Sequence, residues 1–110
     1  MRRQAGPKTE ARRSDRIFIS VPARICTPER SKPLVAFAKV VNKHGVLFEC
    51  DEGLDLNQEV WIDLLSGGTM KGKVVWSPDR RCQNGNFEFA VEFERPVNLF
   101  RVPSPPKSWS

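Results

Sequence analysis

Three arginines fall within five residues of this chain, in Arg12-Arg13-Ser14-Asp15-Arg16, immediately before the strand-like run Ile17-Phe18-Ile19-Ser20-Val21. A guanidinium group is a planar fork of N–H donors that grips a phosphate at two points and stacks its flat face on a nucleobase, whereas a lysine ammonium is only a point charge. Guanine presents two acceptors, O6 and N7, on one edge, and a single arginine meets both at once. The cluster therefore has the chemistry of a clamp for a ligand that carries phosphate or a nucleobase. The competing reading is plain solvated charge, which a basic run next to a polar segment commonly is.

The other groups that could do chemistry are few. Asn42-Lys43-His44-Gly45 lies between two apolar runs; an asparagine side chain both donates and accepts hydrogen bonds, and glycine takes positive φ without steric cost, so the four residues form a tight connection between neighbouring strands. His44 is the sole histidine and has no motif pairing it with a cysteine or carboxylate, so the expectation is a binding module and not an enzyme. Gly67-Gly68 lies between strand-like runs and does not precede a helix, unlike a phosphate-cradling loop. Cys26, Cys50 and Cys82 are odd in number and widely spaced, which fits reduced packing residues better than a disulfide framework or a metal site.

Charge narrows the class of ligand. The chain carries a net charge of +5, but the basic residues crowd into the first 43 positions, while Val46 to Met70 holds no Lys or Arg and six acidic residues. A long polyanion needs a continuous positive track, so this layout suits a small anion better than a nucleic-acid polymer. Single-stranded nucleic acid stacked on Trp61, Trp76 and Trp109 is a rival reading. Tryptophans in strands are usually packing residues, and the acidic stretch repels a polymer. No apolar run approaches the roughly 20 residues of a membrane helix and no apolar segment follows Arg2 and Arg3, so a cytoplasmic protein without membrane insertion is expected.

The elements that must position these residues are strands. At 110 residues one domain is expected. Residues 1–11 are polar, with Gly and Pro, and read as a flexible arm. Ile17, Ile19, Val21 and Ala23 alternate with Phe18, Ser20, Pro22 and Arg24, and Pro22 predicts an edge or a bulge. Further strand-like runs are Leu34 to Val41, Val46 to Cys50, Glu59 to Leu65, Met70 to Trp76 and Phe87 to Glu94, separated by Gly, Pro and Asn. In the last of these, Phe87, Phe89, Val91 and Phe93 predict a core-facing stripe. No window has helical periodicity of useful length. The pattern predicts an all-β fold, an antiparallel barrel or sandwich of about six strands over residues 12–100. A Pro-rich tail over 101–110 follows, with at most a short helical turn around Val97 to Phe100.

This layout resembles a PilZ domain, the bacterial receptor module for cyclic di-GMP. The resemblance covers roughly Arg12 to Phe93. Its first mark is the RxxxR motif, matched by Arg12 and Arg16 with Arg13 between them. Its second is the [D/N]xSxxG motif, which aligns with Val40-Val41-Asn42-Lys43-His44-Gly45. A softer mark is Gly72-Lys73-Val74-Val75-Trp76 followed by Phe89-Ala90-Val91-Glu92-Phe93. The resemblance implies a six-stranded antiparallel barrel that binds cyclic di-GMP through Arg12, Arg13, Arg16, Asn42 and Gly45, with no metal or other cofactor.

The second motif departs from the family pattern at two positions. Val40 stands where the family has Asp or Asn, and Asn42 where it has Ser. Val40 removes one polar contact, which typically costs about 1–3 kcal/mol, or some tenfold to a hundredfold in affinity. Asn42 can replace the serine hydroxyl. An arm that orders over a bound ligand would turn ligand concentration into a shape change that a partner protein reads. The alternative is a PilZ-like domain that no longer binds the nucleotide and works as a protein-interaction adaptor.

Overall fold

The computed structural model describes residues 15–109; the arm over residues 1–11, together with Arg12 and Arg13, lies outside them. Six strands, β1 (Ile17–Cys26), β2 (Leu34–Val41), β3 (Gly45–Cys50), β4 (Glu59–Leu64), β5 (Thr69–Trp76) and β6 (Phe87–Phe93), are followed by one 3-10 turn at Lys107–Trp109. All neighbours are antiparallel. They close into a barrel in the order β1-β2-β3-β6-β5-β4. Closure leaves no strand of the barrel with an unpaired edge, the liability that such short strands would otherwise carry.

Alternation along each strand fills the interior. Phe48 and Phe89 meet there with ring centroids 5.8 Å apart, and Ile25, Ile62, Val60, Val74 and Val91 complete a fully buried centre. Burying each of these side chains contributes about 1.5–3 kcal/mol. The stripe expected on β6 points inward at Phe89, Val91 and Phe93, while Phe87 stays half-buried beneath the Arg81 guanidinium, 4.4 Å from its ring centre. Two glycines serve close approach between strands. A Cβ on Gly72 would lie 2.5 Å from Val91 Cγ1 and 2.7 Å from the Glu92 carbonyl oxygen, and one on Gly45 would collide with the Val91 carbonyl oxygen. At Gly45 the sequence pointed to positive φ; the backbone there is not left-handed, and crowding by β6 is the reason for glycine.

The ladders slip at three places, between Phe18 and Val21 in β1, between Ala38 and Val40 in β2, and between Val74 and Trp76 in β5. Each slip sets an extra residue against the partner strand, bends the chain and changes which face the following side chains take. Val21, expected inward with Ile19 and Ala23, is 36% exposed beside the first slip. Pro22 sits next to that slip and one residue before the ladder with β4 begins at Ala23. The bulge half of the expectation for Pro22 holds, and closure removes the edge.

The tail stays within the expected limit of a short turn around Val97 to Phe100 and adds one turn beyond it. Val97 to Phe100 forms a turn without helix, and the 3-10 turn lies further on, at Lys107–Trp109. Leu99 is buried and Phe100 meets Phe48 edge-on at 6.4 Å, so the tail covers part of the core. Among the described residues no helix is long and apolar enough to cross a membrane.

Between β5 and β6, Asn84 and Asn86 donate side-chain N–H groups to Glu49 on β3, and Lys39 lies 3.5 Å from the same carboxylate. The hydrogen bonds from Asn86 and Asn84 hold the Glu49 carboxyl below its ordinary range, against the opposing effect of desolvation.

Two outcomes follow from this packing. Gly72→Ala should destabilise the barrel by about 1–3 kcal/mol, read as a lowered urea midpoint at unchanged slope, because the added methyl meets backbone as well as a core side chain. A carboxyl whose folded-state pKa is depressed stabilises the fold above its unfolded pKa, and that contribution disappears as pH falls through the folded value. Wild type should therefore lose more stability than Glu49→Gln between neutral pH and the region below the ordinary carboxylate range, as measured by melting temperature.

Candidate functional site

A groove of about 480 Å³ lies across the outside of the barrel, and it collects residues from five of the six strands or their ends. Its floor is a single cross-strand row. Val40 pairs with Leu47, Leu47 with Ala90, and Ala90 with Trp76, so β2, β3, β6 and β5 each place one apolar side chain in line. Phe18, 82% exposed, continues the row onto β1 by pairing with Val40.

Two ends of this row owe their direction to the bulges. In β2, Leu34, Ala36 and Ala38 point inward, and simple alternation would send Val40 after them; the slip between Ala38 and Val40 returns Val41 to the core and leaves Val40 in the groove. In β5, Met70 and Val74 point inward, and alternation would bury Trp76. The slip between Val74 and Trp76 turns it out to 47% exposure. Trp76 was expected from sequence to be a packing residue, and the reason it is not is invisible in the residue pattern.

The polar rim comes from the start of β1 and from the β2–β3 turn. Arg16, immediately before β1, and Asn42, His44 and Gly45 line the same groove although they are far apart in sequence. The turn is built by Asn42. Its Oδ1 accepts hydrogen bonds from the backbone N–H groups of His44 at 2.8 Å and Gly45 at 3.0 Å, while its own N–H donates to the Gly45 carbonyl at 3.0 Å. An asparagine side chain standing in for backbone in this way is what stabilises such turns. The consequence for binding is specific. Oδ1 is spent on the turn, and the side-chain amide Nδ2 is the part of Asn42 left to meet a ligand.

The turn is also tied from behind. Phe93 donates its N–H to the His44 carbonyl and Val97 donates to the Lys43 carbonyl, both at 2.8 Å. His44 is half-buried at the groove. Glu92 brings a carboxylate to the same rim. The arrangement is a shallow apolar shelf edged by one guanidinium, one side-chain amide, an imidazole and a carboxylate, suited to a flat ring with polar edges.

Of the residues expected from sequence to bind a ligand, Arg16, Asn42 and Gly45 come together here, and Arg12 and Arg13 lie outside the described residues. No protein-family model matches the chain. Among curated proteins there is no significant match. The groove must therefore be read from its own chemistry.

A second depression is lined by Glu29, Arg30, Asp55 and Gln58 among others, and three of these side chains are already paired. Arg30 donates to Glu52 at 2.6 Å and Gln58 to Glu29 at 2.7 Å. Among the described residues no group of His, Cys, Asp and Glu is arranged to hold a metal ion.

The two duties of Asn42 separate by substitution. Asn42→Ala should lower stability by about 1 kcal/mol, since two turn N–H groups lose their acceptor. Asn42→Asp, which keeps an acceptor oxygen in place, should retain most of that stability in the same denaturation measurement.

Proposed function

We propose that this chain is a receptor for cyclic di-GMP, which it takes on the outer groove of the barrel through Arg12, Arg13 and Arg16 together with Asn42 and Gly45. The observation that carries this reading is the meeting of Arg16 and the β2–β3 turn at one groove. The two segments are the pair that the resemblance to PilZ domains singles out, and they lie far apart in sequence. Chemistry of the groove supports it as well. A guanidinium reads the O6/N7 edge of guanine or grips a phosphate, and the shelf of Val40, Leu47, Ala90 and Trp76 offers a purine ring an apolar and aromatic surface.

The departures from the motif now have a physical meaning. Val40 points into the groove, so the missing carboxylate or amide is missing from the site itself. It contributes surface where the family has a hydrogen-bonding group. Asn42 offers one donor in place of a hydroxyl. Binding weaker than a complete motif would give is the consequence, with the signal passed to a partner protein as the arginine-bearing arm orders over the ligand.

A second reading rests on the same row of side chains. Phe18, Val40, Leu47 and Trp76 form an apolar strip that an adaptor without a nucleotide could present to another protein.

Titration calorimetry with cyclic di-GMP separates the two. Saturable binding at micromolar concentration that Arg12→Ala, Arg16→Ala abolishes, with no response to linear GMP, is the expected result. Val40→Asp should tighten it by about tenfold, the effect of one restored contact. Absence of heat and of any melting shift at high ligand would overturn the receptor reading in favour of the adaptor.

A further inference from the structure

Asp15 stands between Arg13 and Arg16, and both of its backbone polar groups are held by the other end of the chain. Its N–H donates to Ser108 Oγ at 2.9 Å, and its carbonyl accepts from the Trp109 indole Nε1 at 2.7 Å. These partners lie 93 and 94 residues further along. The contacts precede β1, so they are no part of its ladders.

The turn that makes them is itself fixed. Trp109 donates its backbone N–H to the Pro106 carbonyl at 2.9 Å, and its ring packs against the core, as do Ile17 and Ile19. Earlier in the tail, Asn98 accepts from the Val102 N–H at 2.8 Å and returns Nδ2 to the Val102 carbonyl at 3.0 Å. Arg101 and Ser104 both have positive φ, a conformation that persists in such residues only where the surroundings hold it. The segment from β6 to Trp109 is thus a strap that returns across the barrel to the start of β1.

We propose that Ser108 and Trp109 are positioning residues for the ligand site. By holding the Asp15 peptide they set the direction in which Arg16 enters the groove. A cationic side chain already at its binding position loses less freedom on meeting a ligand, so the latch raises affinity without touching the ligand. This rests on the reading of the groove as a cyclic di-GMP site, and its test keeps the two apart.

Cyclic di-GMP is titrated into the full chain as wild type, Trp109→Phe, Arg16→Ala and the double variant, and amide exchange of Asp15 is followed by NMR without ligand. Trp109→Phe keeps an aromatic ring against the core and removes the indole donor together with the second ring of the indole. It should leave the melting temperature nearly unchanged, weaken binding about tenfold, the worth of one hydrogen bond, and speed exchange at Asp15. In the Arg16→Ala background it should weaken binding no further. Binding as tight as wild type or tighter would overturn the proposal, and so would an equal loss in both backgrounds, which marks a general structural role. If wild type binds no cyclic di-GMP, the ligand reading fails by itself; faster Asp15 exchange in Trp109→Phe then upholds the latch, and unchanged exchange overturns it.

Discussion

Six short antiparallel strands in a single sheet bury one face of every strand here by closing on themselves, and closure demands more curvature than a regular ladder provides. The barrel meets that demand at three ladder slips, in β1, β2 and β5. A bulge bends its strand and raises the local twist, at the expense of one residue that no longer alternates. Everything of interest on the outside follows from those residues. Two of the slips turn Val40 and Trp76 outward, and the strands between them add Leu47 and Ala90 to the same line.

The groove is consequently a by-product of the fold's own geometry, furnished with polar groups from its margins. Asn42 makes a turn whose shape depends on its side-chain oxygen, and Gly45 lets β6 approach where any side chain would collide. The same two residues that form the connection therefore fix the shape of the groove's rim. Arg16 supplies positive charge, with Glu92 opposing it on the same rim.

The tail ties this site to the far end of the chain. Leu99 and Phe100 cover the core, and beyond them the Asn98–Val102 hydrogen bonds and the turn at Lys107–Trp109 carry the chain back to Asp15. Its Pro-rich composition suggests a loose end, yet proline restricts the unfolded chain and suits an extended strap between two anchoring points. The start of β1 is thereby held by packing of Ile17 and Ile19 on the inside and by the indole and hydroxyl at Asp15.

Strand positions and the inward stripe of β6 were legible in the sequence because alternation at period two is a local property, written in adjacent residues such as Phe89, Ala90 and Val91. So was the β2–β3 turn, since Asn42 acts on backbone within three residues of itself. What tertiary structure alone decided were the outward turns of Val40 and Trp76, the true reason for Gly45, and the grip of Ser108 and Trp109 on Asp15. Each depends on which strand or segment lies opposite. A ladder slip is a relation between two strands, and a hydrogen bond spanning 94 residues leaves no mark in the pattern around either partner.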